Sequence, residues 1–129
     1  MAIRLSDERG SASIWTAVLA VTFFAMALLV VDGGRKLNNL ATAQDLSGET
    51  ARYTASILDP NSVYAGNPTV DASARQRATT WATARGATNV VITLNGSSVT
   101  VTLTLPGGSA VTPAFDLSAT ATHTAFILN

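Results

Sequence analysis

The feature that most constrains this chain is an uncharged, strongly apolar run near its start. No charged side chain occurs between Ser11 and Val31, and roughly twenty such residues suffice for a helix to cross about 30 Å of hydrocarbon. The run is apolar on every side, so it lacks the polar stripe of an interfacial amphipathic helix. The rest of the 129-residue chain is too small to bury such a helix in a soluble core. We therefore predict a transmembrane helix over residues 11–31. Its membrane and assembly contacts are expected at Ile14, Trp15, Val18, Phe23, Phe24 and Leu28.

Three roles are open for this helix: a secretory signal that is removed, a permanent membrane anchor, or the N-terminal helix of a pilin-like subunit. A cleaved signal has a shorter apolar core, closely followed by small residues in an A-x-A arrangement. The nearest such arrangement, Ala41 to Ala43, lies far beyond Val31. We therefore expect the helix to stay on the mature chain. Basic residues on its two sides nearly balance, so the positive-inside rule gives no orientation.

The residues that flank the run resemble those of a known family. A short charged leader ends in Gly10, small residues follow from Ser11, and the apolar helix begins at Ile14. The helix exit, Asp32-Gly33-Gly34-Arg35, is similar to a D-x-G-R pattern. These features resemble the TadE/TadG-like, pilin-related proteins of Tad (Flp-type, type IV) pilus systems, whose class III leader prepilin peptidase cuts after the glycine.

The resemblance implies a leader over residues 1–10, cleavage between Gly10 and Ser11, and a pilin-like fold. It also implies a single-pass protein of the cytoplasmic membrane with its C-terminal domain outside the cytoplasm. Its partners would be the membrane, other pilin-like subunits and the prepilin peptidase, and it would enter a cell-surface pilus or a related secretion assembly.

One position departs from the family pattern. Pilins of this kind usually carry Glu at the fifth mature position, where it can meet the N-terminal amine of a neighbouring subunit. Counted from Ser11, that position is Trp15, and no acid lies between Ser11 and Val31. The departure favours a minor or accessory role over that of a major pilin.

After the apolar run, the helical pattern continues over residues 32–58. We predict one long helix from about Ser13 to Leu58, either loosened or broken at Gly33-Gly34, since two adjacent glycines cost roughly 2 kcal/mol relative to Ala. A weak stripe at i, i+3 and i+4 spacing is expected to pack against a folded domain. It consists of Leu37, Leu40, Ala41, Gln44, Gly48, Ala51, Ala55 and Leu58.

A loop over residues 59–70 and an exposed αβ domain over residues 71–129 complete the predicted organisation. Pro60 disfavours helix in the residue before it, which ends the long helix. Asp71 is the predicted N-cap of a second helix, Ala72 to Arg85, and Gly86 is its C-terminal stop.

Alternating residues predict three antiparallel strands after that helix. Asn95-Gly96 is a hairpin turn signal, and a turn at these two residues sets Ile92 opposite Val99. A last strand over Phe115 to Leu128 has an inward face of Phe115, Leu117, Ala119, Ala121 and His123. The predicted fold class is thus α+β: a long N-terminal helix, a short second helix, and a three-stranded antiparallel sheet packed on the outer half of the first helix.

Composition argues against several functions. The formal net charge is zero, which leaves no basic footprint for nucleic acid. The chain has no cysteine and a single histidine, His123, so cysteine-ligated and histidine-cluster metal sites are excluded. We expect His123 to be partly buried and structural, and we expect no enzyme activity and no cofactor.

Two functions remain open. The first is a pilin-like structural or minor component of a Tad-type pilus or related secretion assembly. The alternative is a single-span, membrane-anchored extracytoplasmic binding domain that is neither processed nor part of a filament. The flanking motifs favour the first.

Overall fold

The structure, a computed structural model, describes residues 8–108 and 117–127. In chain order they form α1 (Glu8–Ser56), α2 (Pro60–Tyr64), α3 (Ala72–Thr83), β1 (Thr88–Asn95), β2 (Ser98–Leu105) and β3 (Ala119–Phe126). The strands make one antiparallel sheet in the order β1-β2-β3. The predicted α+β architecture is confirmed.

α1 is one helix of 49 residues, about 75 Å long at the usual rise per residue. Gly33 and Gly34 lie within it, and nothing comes within 4 Å of where a Cβ would stand at either residue. Of the two predicted outcomes, the break does not occur. A helix can absorb the modest propensity cost of two glycines when strong helix-forming sequence lies on both sides.

The sheet packs on the second half of α1. α1 lies beneath β2 and β3, and α3 lies beside α1 and also packs against β1. The central strand supplies the largest fully buried side chains, Val99, Val101 and Leu103. The core is therefore a two-layer αβ unit at the C-terminal half of α1, and the first half of the helix takes no part in it.

The buried face of α1 differs from the predicted stripe. Gly48, Ala51 and Leu58 are buried as expected, but Leu37 and Leu40 are exposed, as are the predicted Ala41 and Gln44. Apart from Leu46, the buried residues of α1 in this region are instead small or hydroxylated: Ala43, Ser47, Gly48, Thr50, Ala51 and Thr54.

Hydrogen bonds within the helix explain how hydroxyl groups can be buried there. Thr50 Oγ1 donates to the Leu46 carbonyl at 2.7 Å, and Thr54 Oγ1 donates to the Thr50 carbonyl at 2.7 Å. Because each hydroxyl is satisfied by its own helix, it carries little of the usual cost of burying a polar group. The small side chains then let the sheet approach closely.

The segment predicted as a loop, residues 59–70, contains α2, so that prediction is wrong for Pro60–Tyr64. Asp59 caps this short helix by accepting a hydrogen bond from the Asn61 amide at 3.2 Å. Proline is favoured at the first helical position because the N–H group of that residue has no partner within the helix, so its absence costs nothing. Pro60 thus follows the end of one helix and begins the next.

The predicted second helix is α3, and Asp71 is its N-cap as expected. Its buried side chains are Ala74, Ala78 and Ala82. The helix ends at Thr83, two residues before the predicted Arg85, and Gly86 follows with a φ of 90°.

The hairpin forms, but its predicted register is wrong by two residues. Leu94 pairs with Val99 and Ile92 with Val101, so the turn residues are Gly96 and Ser97. Gly96 has a φ of 56°, the left-handed conformation that a type II′ turn requires at its first central position. A shift of two residues leaves every side chain on its predicted face, which is why the predicted apolar face survives.

The third strand is shorter than predicted, and Phe115 and Leu128 lie outside the described residues. Leu117, Ala119 and Ala121 are buried as expected. On the opposite face, three threonine pairs join β2 to β3 through contacts between their hydroxyls at 2.8–2.9 Å. The pairs are Thr100 with Thr124, Thr102 with Thr122, and Thr104 with Thr120.

Candidate functional site

The first half of α1 is the largest exposed apolar surface in the described part of the chain. The six residues predicted to carry membrane and assembly contacts are all at least 41% exposed. The helix distributes them around its circumference: Phe23 lies on the side opposite Ile14 and Val18 at about 100° per residue. An apolar surface on all sides is typical of a helix that lipid or neighbouring helices surround.

Polar groups within this segment are satisfied internally. Thr16 Oγ1 donates to the Ala12 carbonyl at 2.9 Å, and Thr22 Oγ1 donates to the Val18 carbonyl at 2.8 Å. Such bonds suit a medium without water, where an unsatisfied hydroxyl is costly. Among the described residues, one helix is long and apolar enough to cross a membrane, and its apolar window is unburied. The segment therefore has the properties of a membrane anchor.

The predicted processing residues lie at the start of this helix. Gly10 and Ser11 are in its first described turns and are exposed, whereas residues 1–7 of the predicted leader lie outside the described residues. Trp15 is exposed one turn further on. Cleavage between Gly10 and Ser11 stays a prediction.

The exposed segment ends at a junction where the folded unit first contacts α1. From Gly10 onward, Asp32 is the first buried residue of α1, with 7% of its surface exposed, and its Oδ1 lies 3.9 Å from Arg35 Nη1. One turn on, Lys36 Nζ donates to the Ser118 carbonyl. Asn39 Nδ2 donates to the Leu117 carbonyl at 3.2 Å. These bonds tie the chain entering β3 to α1, and we call Lys36 and Asn39 the junction clamp.

Gly107 completes the junction. A Cβ at this position would overlap Asn39 Nδ2 and would stand 2.5 Å from the Leu117 carbonyl oxygen. Only a residue without a side chain allows the end of β2 to pass so close to the clamp. The roles of Lys36, Asn39 and Gly107 as positioning residues were not predicted from the sequence. The available signal was that Lys36 is the only lysine of the chain.

An aromatic stack joins α3 to α1 on the other side of the unit. The Tyr53 and Trp81 rings stack with centroids 5.5 Å apart, and the Arg85 guanidinium lies 3.6 Å from the Trp81 ring centroid. Arg85 Nη1 also donates to the Trp81 carbonyl at 3.1 Å. The stack therefore serves to pack α3 against α1.

His123 lies on the α1 side of the sheet, as predicted, with its ring 3.6 Å from where a Cβ would stand at Gly48. It is nevertheless exposed, so the prediction of partial burial is wrong. The reason is that β3 is an edge strand, which leaves one side of the ring open. No group of three or more potential metal ligands occurs within the described ranges.

Comparisons with known proteins address the N-terminal part of this arrangement. No curated protein and no solved structure matched the chain. Residues 10–52, which contain the apolar segment, the junction clamp and most of the buried face of α1, match the model of a protein family described as TadE-like protein. The resemblance to TadE/TadG-like proteins is thereby confirmed over this segment.

Proposed function

We propose that this chain is a pilin-like component of a Tad-type pilus or related secretion assembly. One observation carries the proposal: the family match covers an exposed apolar helix that continues unbroken into the core of an αβ unit. A helix that is half membrane segment and half core fixes a folded domain directly to the lipid surface. In this role the domain stands outside the cytoplasm and the helix packs beside other pilin-like helices.

The role is structural and not enzymatic. Packing contacts support this role: His123 lies against Gly48 of α1, Trp81 stacks on Tyr53, and Arg85 lies over the Trp81 ring. Lipid gives helices no hydrophobic drive to associate, so small side chains must let them approach. Ala17, Ala20 and Ala27 offer such positions along one side of the exposed segment.

Trp15 supports an accessory role. A subunit whose fifth mature residue is Trp cannot offer a carboxylate to the N-terminal amine of the next copy. Another subunit with that carboxylate would have to supply the pair. We therefore infer that the chain joins an assembly built mainly from a different pilin-like protein. Long filaments made of this chain alone, seen by electron microscopy, would contradict the accessory role.

Processing is the sharpest test of the proposal. Mass spectrometry of the protein from its native membranes should show the loss of residues 1–10. Gly10→Leu should block this cleavage, whereas Ala12→Leu, two positions beyond it, should leave it unchanged. An intact Met1 or Ala2 terminus would favour the unprocessed, single-span binding domain.

A further inference from the structure

No strand among the described residues lies beside the outer edge of β3, and the hydrogen bonds show which backbone groups face this open edge. The Ile127 amide donates to the Ser97 carbonyl at 2.7 Å, next to the pair of Ser98 with Phe126. Backbone groups alternate in direction along a strand, so those of Thr120, Thr122 and Thr124 point away from β2. No hydrogen bond from another described residue reaches these three N–H and three C=O groups.

The two edges of the sheet are built differently. At β1 the pairing register shifts between Thr88 and Val91, and Asn89 between them has a φ of 51°. Such a bulge blunts an edge against further pairing. β3 pairs with β2 without any shift and contains no Lys, Arg, Asp, Glu or Pro. It therefore lacks the protective features that native proteins place on a free edge.

A second copy of this chain does not fit the open edge. Two β3 strands would pair antiparallel about a two-fold axis perpendicular to the sheet. Since α1 packs against the face of the sheet, that axis is also perpendicular to α1 and would make the two apolar helices antiparallel. They could not then cross one membrane in the same direction. Pairing of β3 with β1 of a next copy would meet the bulged edge.

Charges beneath the edge indicate the chemistry of the missing strand. A groove of about 210 Å³ lies along α1 beside His123 of β3, and it is lined by Gln44, Asp45, Gly48, Glu49, Arg52 and His123. A fourth strand would direct alternate side chains over this groove. The carboxylates of Asp45 and Glu49 outnumber the one guanidinium of Arg52, so a basic side chain of the added strand is favoured over this groove. The alternate side chains of that strand would lie on the opposite face of the sheet, beside the threonines.

We propose that the open edge of β3 receives an extended segment of a different protein as a fourth strand, with a Lys or Arg over Asp45 and Glu49. The backbone of Thr120, Thr122 and Thr124 supplies the hydrogen bonds, and the two acids select the side chain. Only the exclusion of a second copy rests on the proposed membrane anchoring.

A peptide probe tests the edge on the full chain in detergent micelles. The peptide has the sequence of residues 97–105, which pairs with the inner edge of β3 in the fold, and it carries Val101→Lys at its centre. It should slow amide hydrogen exchange at Thr120, Thr122 and Thr124 by about tenfold or more at saturation. The matched peptide with Val101→Glu should bind more weakly. Equal binding of the two peptides would overturn the charge selection, and no protection by either would overturn the edge.

Two variants locate the binding. Thr122→Pro removes an outward N–H and leaves the backbone hydrogen bonds to β2, since proline is tolerated on edge strands in this orientation. The hydroxyl contact of Thr122 with Thr102 is lost in this variant and equally in its control, Thr122→Val. Thr122→Pro should weaken binding of the Lys peptide about tenfold, which corresponds to 1.4 kcal/mol. Thr122→Val keeps the N–H and should bind as the parent does. Should the proline variant fail to fold, Asp45→Lys with Glu49→Lys should reverse the preference to the Glu peptide. Unchanged binding in these variants would overturn the proposal.

Cross-linking in native membranes tests the occupant. Thr122→Cys should form no disulfide between copies of this chain, whereas a disulfide between copies would overturn the choice of a different protein. If the chain were found outside the membrane fraction, the proposed membrane anchoring would be contradicted. The proposal for the β3 edge would not be, because the micelle experiment decides separately whether that edge binds a strand.

Discussion

The two halves of α1 belong to one continuous helix but meet opposite surroundings. Between Gly10 and Val31 the side chains are exposed and mostly apolar, many of them large, whereas between Ala43 and Thr54 the buried ones, Leu46 apart, are small or hydroxylated. Hydrophobicity alone therefore does not identify the core of this protein. In the second half, close approach and internally satisfied hydroxyls decide burial. The most apolar half is left for lipid or for other helices.

The largest test of this difference is to separate the halves. A fragment of residues 35–129 should be soluble and melt cooperatively, because the core uses only the second half of α1. The full chain should stay with the membrane fraction. A fragment of residues 40–129, which lacks the junction clamp, should melt at a lower temperature. Aggregation of the longer fragment would mean that the apolar half belongs to the core.

Enlarging a small buried residue should destabilise the second half. Ala51 is fully buried, and Ala51→Leu should lower the free energy of unfolding by about 1–3 kcal/mol through overpacking. Ala41→Leu makes the same change at an exposed position and should stay within about 0.5 kcal/mol of the parent. Chemical denaturation of the soluble fragment measures both. Equal losses would show that the buried face is misassigned.

Removing half of the junction clamp should have a smaller effect. Asn39→Ala leaves the part-buried Leu117 carbonyl without its donor, at a cost of about 1 kcal/mol. Asn38→Ala, on the exposed neighbour, is the control. Chemical denaturation of the soluble fragment measures both variants. If Asn38→Ala lowered the free energy of unfolding as much as Asn39→Ala, the loss would come from the change in helix propensity and not from the junction clamp.

Glycine replacements should act in opposite directions at the two sides of the junction. Gly34→Ala meets open space and should stabilise the helix by about 0.5–1 kcal/mol. Gly107→Ala should destabilise the unit, because its Cβ would overlap Asn39 and Leu117. Amide exchange near the junction in the full chain should slow in the first variant and speed up in the second. Faster exchange in both would contradict open space at Gly34.

The smallest expected effect is a pH dependence confined to α3. The hydrogen bond from the Ala74 amide, then that from Ser73, hold the pKa of Asp71 below its ordinary value of 3.8. A lowered folded-state pKa gives stability that is present above the unfolded pKa and is lost as the pH falls through the folded one. The first turn of α3 should therefore loosen in acid, seen as faster exchange of the Ala74 amide. Asp71→Asn should remove this pH dependence while keeping a capping side chain.

The order of the elements could be predicted from the sequence because each has a strong local signal. The apolar run, the Asp71 cap and the alternation of threonine with apolar residues all depend on neighbours in the chain. The hairpin register was wrong because Asn95-Gly96 leaves two turn positions open, and the pairing of Leu94 with Val99 in the core decides between them.

Long-range contacts account for most of what the sequence could not show. Lys36 and Asn39 act on carbonyl groups about 80 residues later in the chain, and no local pattern marks such partners. Buried Thr50 and Thr54 were missed because their hydroxyls are read as polar unless the helix that satisfies them is known. The open edge of β3 follows from strand order, which hydrophobic alternation does not fix.

The position of the junction clamp limits how far this protein reaches. Lys36 lies only five positions after Val31, about 7.5 Å along the helix, so the domain has no stalk. If the apolar half fills the hydrocarbon layer, the clamp lies among the lipid headgroups, and the exposed Leu37 and Leu40 face the same layer. A partner must then come down to the bilayer surface to meet the sheet, or the helix must be drawn out of the lipid to raise it.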